Sequence, residues 1–360
     1  MTFRILAFGS NGSGQLGVGH VEDTSSPQQC QFATNEWQPG ETVSQIAAGG
    51  NHTLLLTTAG RVFASGSNDN GRCGTVGQMA TCNTFHSVII PQQELGRVTH
   101  VAATWEASFF VVDAQRIYSC GSGAKGELGL GVDRAICKVP ELVVDLADFE
   151  NGQTRVAELK ASMGHVVLVA DQGDLFGWGG CRRGQLGEEI ADAKVIWSPR
   201  KISIASSVRT VALGRDFTYM VGSNGICRLM GNNKHFPDID SIHNFHPQNE
   251  VFAGWSNIFI RNEEQLVGFG RNNHGQLPPQ HLSASKYFAA GSEHCLALTH
   301  DNRLLSWGWG EHGNCGRPLD DQGKVAGRFN EIPMDLTENE SVSLVAAGCA
   351  TSFVVVSKAD

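Results

Sequence analysis

Few side chains in this 360-residue chain are placed to do chemistry, and those that are recur at regular places. His52, His165 and His294 each close a small-residue loop and open an apolar run. A catalytic histidine needs a nucleophile and an orienting acid, and a metal-binding one needs a second ligand at matching spacing. No Ser-His-Asp, metal or phosphate-loop pattern surrounds them, and their equivalent positions mark them as structural histidines. His235, His243 and His246 crowd together with Asp238 and Asp240, again without ligand spacing, and are expected to lie in a solvated loop. Runs of the G-x-G-x-x-G kind, such as GSGAKG from Gly121, lack the following helix whose N-terminus would hold a pyrophosphate. The expectation is therefore no catalytic residue, no cofactor and no metal.

Ten cysteines contain no C-x-x-C, and no secretory segment precedes them, because the N-terminal apolar stretch breaks at Gly9. They read as reduced, mostly buried thiols of a cytoplasmic or nuclear protein. No run approaches the ~18 apolar residues of a membrane span. The formal net charge is −9 and the basic pairs Arg182-Arg183 and Arg200-Lys201 are short, which disfavours direct nucleic-acid binding and suits a basic protein partner. The unusual figure is 43 glycines, about 12% of the chain against a usual ~7%.

Those glycines sit in a repeat. One motif, G-x-N-x-x-G-Q-L-G, is intact from Gly9 to Gly17 and recurs from Gly66, Gly121, Gly179, Gly270 and Gly308, with a degenerate copy, GNNKHF, from Gly231. A second, A-A-G-x-x-H followed by apolar residues, starts at Ala47 and Ala289, with looser copies at Ala102, Ala161, Ala212, Phe252 and Ala346. Each occurs seven times, and the His position precedes the first Gly by 14 residues in five copies and by 13 from Asn257 to Gly270. Between them lie a β-rich run, a short Gly turn and a second β-rich run, the pattern of a hairpin. Each unit is thus an antiparallel sheet of about four strands, and radial stacking of such sheets is a β-propeller. The chain opens with the first motif and closes with the second, so its two ends should share one blade and close the ring. The expected architecture is all-β, a single seven-bladed propeller domain over residues 1–360.

The two motifs resemble the repeat of the regulator-of-chromosome-condensation family over essentially the whole chain. The runs Ala7 to Asp23, Leu213 to Phe217, Phe269 to Leu277 and Trp307 to Gly316 are similar to those of one fungal branch of that family. The resemblance implies a non-catalytic adaptor that forms a heterodimer with a small CSL-type zinc-finger protein, an electron carrier of diphthamide biosynthesis. It also implies support for Elongator-dependent modification of tRNA wobble uridines, with any zinc or iron belonging to the partner. The alternative is a guanine-nucleotide exchange factor for a Ran-like GTPase, although the basic N-terminal tail of the chromatin-bound exchange factors has no counterpart here.

Two antiparallel strands separate the two motif loops, so both should open on one face. Residues that break the repeat on that face are the better functional candidates. Trp105-Glu106, Arg215-Asp216, Trp255 and Glu293 stand at the variable x-x positions, and Trp309, Glu311 and His312 in a neighbouring Gly loop. Aromatic side chains rimmed by charge are the make-up of an interface anchor. Acidic residues in this kind of loop act on Ran in the chromatin-associated relative, and Asp216 and Glu293 hold comparable places. All nine are expected partner-binding residues.

Overall fold

The computed structural model describes residues 3–34, 37–38, 40–75, 79–91, 96–149, 152–236, 239 and 245–358. Seven antiparallel sheets account for its strands. Blade one joins the two ends of the chain: Thr24–Gln29, Phe3–Gly9, Thr351–Lys358 and Glu340–Ala347, in that order. Blade two runs Val43–Ala48, His52–Thr57, Val62–Ser67 and Thr81–Ser87, and blades three (Val98–Asp145), four (Val156–Lys201) and seven (Ser285–Ile332) repeat that order. Blades five (Val208–Gly231) and six (Glu250–Gly270) have three strands among the described residues. Among the described residues two units therefore fall short of the expected four strands. In blade five the Gly motif has degenerated; in blade six it ends in Pro278-Pro279, which cannot donate to a ladder.

The 14-residue spacing is the register of the central hairpin. His52 pairs with Gly66, His165 with Gly179 and His294 with Gly308, so each hairpin begins on the His position and ends on the first motif Gly. Asn257 pairs with Gly270 in the same way across a turn shorter by one residue. At the closing blade, Thr351 pairs with Gly9 across the two ends of the chain.

The second strand of a blade is buried along its length, as in His52–Thr57, Ala107–Val112 and His294–Thr299. This follows from packing each sheet between two others, which makes both faces of its alternation apolar. In blade one, Phe353 and Val355 enter the cluster with Leu55, Phe63 and Phe85 of blade two. Val354 and Val356 point the other way, to Leu296 and Leu298 of blade seven.

The histidines join blades. The Nε2 of His52 lies 2.9 Å from the Ser108 hydroxyl of blade three, which itself donates to the Arg72 carbonyl and so accepts from the ring. His165 reaches Thr218 of blade five at 3.1 Å, and His294 reaches Ser352 of blade one at 3.0 Å. All three are buried, and burial in a low-dielectric wall pushes their pKa down, to about 3 for His52 and about 4 for His165 and His294. For His52 the nearby Arg72 adds to the effect. They are neutral rivets between sheets.

Candidate protein-binding face

The innermost strand of each blade lines a central channel, with a cavity of about 380 Å³ walled by residues such as Ala161, Leu213, Ala253, Ala290 and Ala347. The A-A-G-x-x-H loops form its mouth, a second cavity of about 140 Å³. Loop-to-loop hydrogen bonds tie this mouth together. Gly50 N donates to Trp105 O (3.0 Å) and Trp105 N to Met163 O (3.3 Å), linking blades two, three and four. Arg215 N donates to Trp255 O, Trp255 N to Ser292 O, and Ser292 N to Gly348 O, linking five, six, seven and one.

Both motif loops do open on one face, and every blade ties them together. The residue after the first motif Gly donates to the second x carbonyl: Ser10 to Ala350, Ser67 to Asn51, Ser122 to Glu106, Gly180 to Gly164, Asn232 to Asp216, Arg271 to Ser256 and Trp309 to Glu293. That approach needs glycine. Gly66 has φ +110°, and a Cβ on it would run into the Asn51 carbonyl oxygen.

Trp105 and Trp255, from blades three and six, meet across the mouth with ring centroids 5.8 Å apart and planes at 42°. Both are half-buried rather than standing free at loop tips. Trp105 lies over Gly50, where a Cβ would sit 2.7 Å from the indole ring, so the glycine makes room for it. The exposed Arg215 places its guanidinium 5.9 Å from the Trp255 ring centroid, within cation–π range.

The other expected residues divide among separate places. Glu106 is exposed and forms an ion pair with the buried Arg72 at 3.5 Å. Trp309 sits at blade seven between His274 (5.9 Å) and His312 (5.7 Å), and His312 Nδ1 is 2.8 Å from Asp23 Oδ2. Glu311 beside them is exposed. Asp216 borders a cavity between blades four and five. Glu293, expected at a loop tip, is nearly covered, because the neighbouring Gly loop folds back and Gln276 Nε2 donates to its carboxylate. Its counterpart in most copies is not acidic, which the sequence alone could not turn into a burial. Met163 also lines the mouth, and no sequence signal separates an apolar loop residue there from one that packs inward.

Among the remaining candidates, His235 is half-buried and His246 exposed, while Asp238, Asp240 and His243 lie outside the described residues. All ten cysteines are free thiols, nine of them buried and Cys349 partly open at the channel mouth. Among the described residues no helix is long and apolar enough to cross a membrane.

Fold and face together define a seven-bladed propeller with a tied loop face on one side. A model of the RCC1-like domain matches residues 4–356, and the chain belongs to that family. An RCC1 repeat-containing protein of Schizosaccharomyces pombe is 28% identical, with 98% of each chain covered. The mouse secretion-regulating guanine nucleotide exchange factor is 25% identical over 96% of this chain and 81% of its own. Among solved structures, Prp20p from Saccharomyces cerevisiae superposes with a TM-score of 0.81 at 19% identity, covering 100% of this chain and 92% of that one. Human WBSCR16 gives 0.79 at 18% identity, over 99% and 100%. At such identities these two structures speak for the fold.

Proposed function

We propose that the protein is a non-catalytic adaptor whose loop face docks a small CSL-type zinc-finger, electron-carrying protein. In that role it supports diphthamide synthesis on elongation factor 2 and Elongator-dependent modification of tRNA wobble uridines. The observation that carries the docking is the Trp105–Trp255 pair with Arg215 beside it, two half-open indoles at the centre of one face. Large rigid aromatics flanked by a guanidinium are the side chains that dominate binding at interface centres. The choice of partner rests on the runs Ala7 to Asp23 and Trp307 to Gly316, which are similar to those of the fungal alpha-tubulin suppressor, or killer-toxin-insensitivity, propeller.

The test is binding of the purified zinc-finger protein to the intact chain and to Trp105→Ala, Trp255→Ala and Trp309→Ala. A central anchor should weaken binding by about 30-fold or more, the equivalent of ~2 kcal/mol, with each variant's melting curve confirming that the ring still folds. No binding by the unmutated chain ends the reading. Equal binding by all three variants moves the interface off these side chains.

The second reading, nucleotide exchange on a Ran-like GTPase, draws support from the name of the mouse relative and from Prp20p, which is described as having binding properties toward Gsp1p and histones. Of Asp216 and Glu293, the acids expected to serve it, Asp216 is the more open, half-buried on the same face. Nucleotide release from the GTPase at its spontaneous rate would remove this reading.

A further inference from the structure

The cavity between blades four and five gathers cations that are far apart in the chain. Lys125 comes from the Gly loop of blade three, Arg182 and Arg183 from that of blade four, Lys194 from the end of blade four's short helix, and Arg215 from the inner loop of blade five. All five are exposed. Among the described residues none of them has a carboxylate within ion-pair distance, whereas other arginines, such as Arg4, Arg116 and Arg303, do. One acid, Asp216, shares the lining, so the local balance is strongly positive in a chain of net charge −9.

The floor adds a second, independent sign. Gln185 is 6% exposed and lines the same cavity. Its Oε1 accepts from Arg183 N at 2.9 Å, but its Nε2 donates to nothing among the described residues. In blade six the equivalent Gln276 Nε2 is bound by the Glu293 carboxylate. Here the corresponding acid is Asp216, one methylene shorter, and no such bond forms. An amide donor that opens onto the cavity without a protein partner, below five cations with no carboxylate in ion-pair range, can donate to an anion.

The opening is built by the fold. Among the described residues no loop-to-loop hydrogen bond joins blades four and five, unlike the joints on either side. Among the described residues blade five also has no fourth strand against which the Gly loop of blade four could pack. The gap measures about 290 Å³, enough for a few oxyanion groups rather than a folded segment.

We propose that this cavity binds a phosphate-rich ligand, with Arg182, Arg183, Lys194 and Arg215 pairing to phosphate oxygens and Gln185 Nε2 donating to the innermost one. Phosphate is favoured over carboxylate by charge density, because a terminal phosphate brings nearly two negative charges in the volume where a carboxylate brings one, and several guanidinium forks match its oxygens. The phosphates come either from a free polyphosphate anion or from a nucleic-acid backbone.

Calorimetric titration of the full chain with inorganic tripolyphosphate, and fluorescence anisotropy with a short single-stranded RNA, separate the two sources. A glutamate-rich peptide serves as the competing class. The expected result is saturable tripolyphosphate binding, weakened at least tenfold by Arg182→Ala/Arg183→Ala and by Gln185→Glu. Gln185→Glu keeps the acceptor for Arg183 N while removing the free donor. The control Arg200→Ala/Lys201→Ala removes the same charge elsewhere and should bind normally. RNA that binds through the same residues with a steep salt dependence assigns the backbone as source. The proposal is overturned by no saturable phosphate binding in either form, by equal loss in the control, or by tighter binding of the glutamate peptide.

Discussion

Replacing His294 by asparagine should make the protein less sensitive to acid while making it less stable at neutral pH. His294 is buried and neutral, its Nε2 held 3.0 Å from Ser352 of the adjoining blade. Its pKa is pushed by burial from the ordinary 6.5 to about 4. The unfolded chain therefore binds a proton there that the folded chain refuses, so the contribution is whole above pH 6.5 and is lost as pH falls toward 4. At pH 5.5, one unit below the unfolded value, the loss is about 1.4 kcal/mol for each such histidine. His52 and His165 behave alike, so the ring should lose about 4 kcal/mol between pH 7.5 and 5.5 from these three groups. Asparagine is the substitution to use because Asn257 already stands at this position in blade six, bonded to its own Gly loop through Arg271 O. At pH 7.5 His294→Asn should cost about 1 kcal/mol for the lost inter-blade hydrogen bond. At pH 5.5 that cost should have vanished or reversed, because the variant no longer carries the ~1.4 kcal/mol proton penalty. Urea unfolding of both proteins at the two pH values measures the difference of differences, in which all other titrating groups cancel. A cost that stays the same at both pH values refutes the argument.

Three further outcomes follow from the same structure. Gly66→Ala should destabilise by at least about 2 kcal/mol, from left-handed backbone strain and the clash with Asn51 O, whereas Gly12→Ala, which meets nothing within 4 Å, should leave the urea midpoint nearly unchanged. Phe353→Ala, at the packed seam between blades one and two, should cost about 3–5 kcal/mol, and Val132→Ala, 61% exposed, should stay within about 0.5 kcal/mol in the same assay. Under native conditions a thiol reagent should modify Cys349 well before the nine buried cysteines, as read by peptide mapping; simultaneous labelling of several thiols would mean the blades open more readily than their packing suggests.

Much of this molecule is local in origin and legible as such. The two motifs locked at 14 residues are a hairpin register, and a register is set by neighbours in the chain, so blade number, ring closure and the shared loop face can be read without coordinates. The same periodicity marks His52, His165 and His294 as structural, since a residue that recurs once per blade serves the blade. What the repeat cannot supply is anything that depends on two blades meeting. Whether a loop tryptophan stands free or closes over the channel depends on its partner from the far side of the ring, as with Trp105 and Trp255. Whether an acid is open or covered depends on the next Gly loop, and Glu293 is covered by Gln276 while Asp216 is left open. Arg182-Arg183 is too short a basic run to stand out along the chain; only the joint of blades three, four and five adds Lys125, Lys194 and Arg215 to it. Propeller sheets are built from contacts a few residues apart, but the surfaces between them bring together side chains tens of residues apart. The sequence by itself therefore determined the blades, and the tertiary structure decided what lies between them.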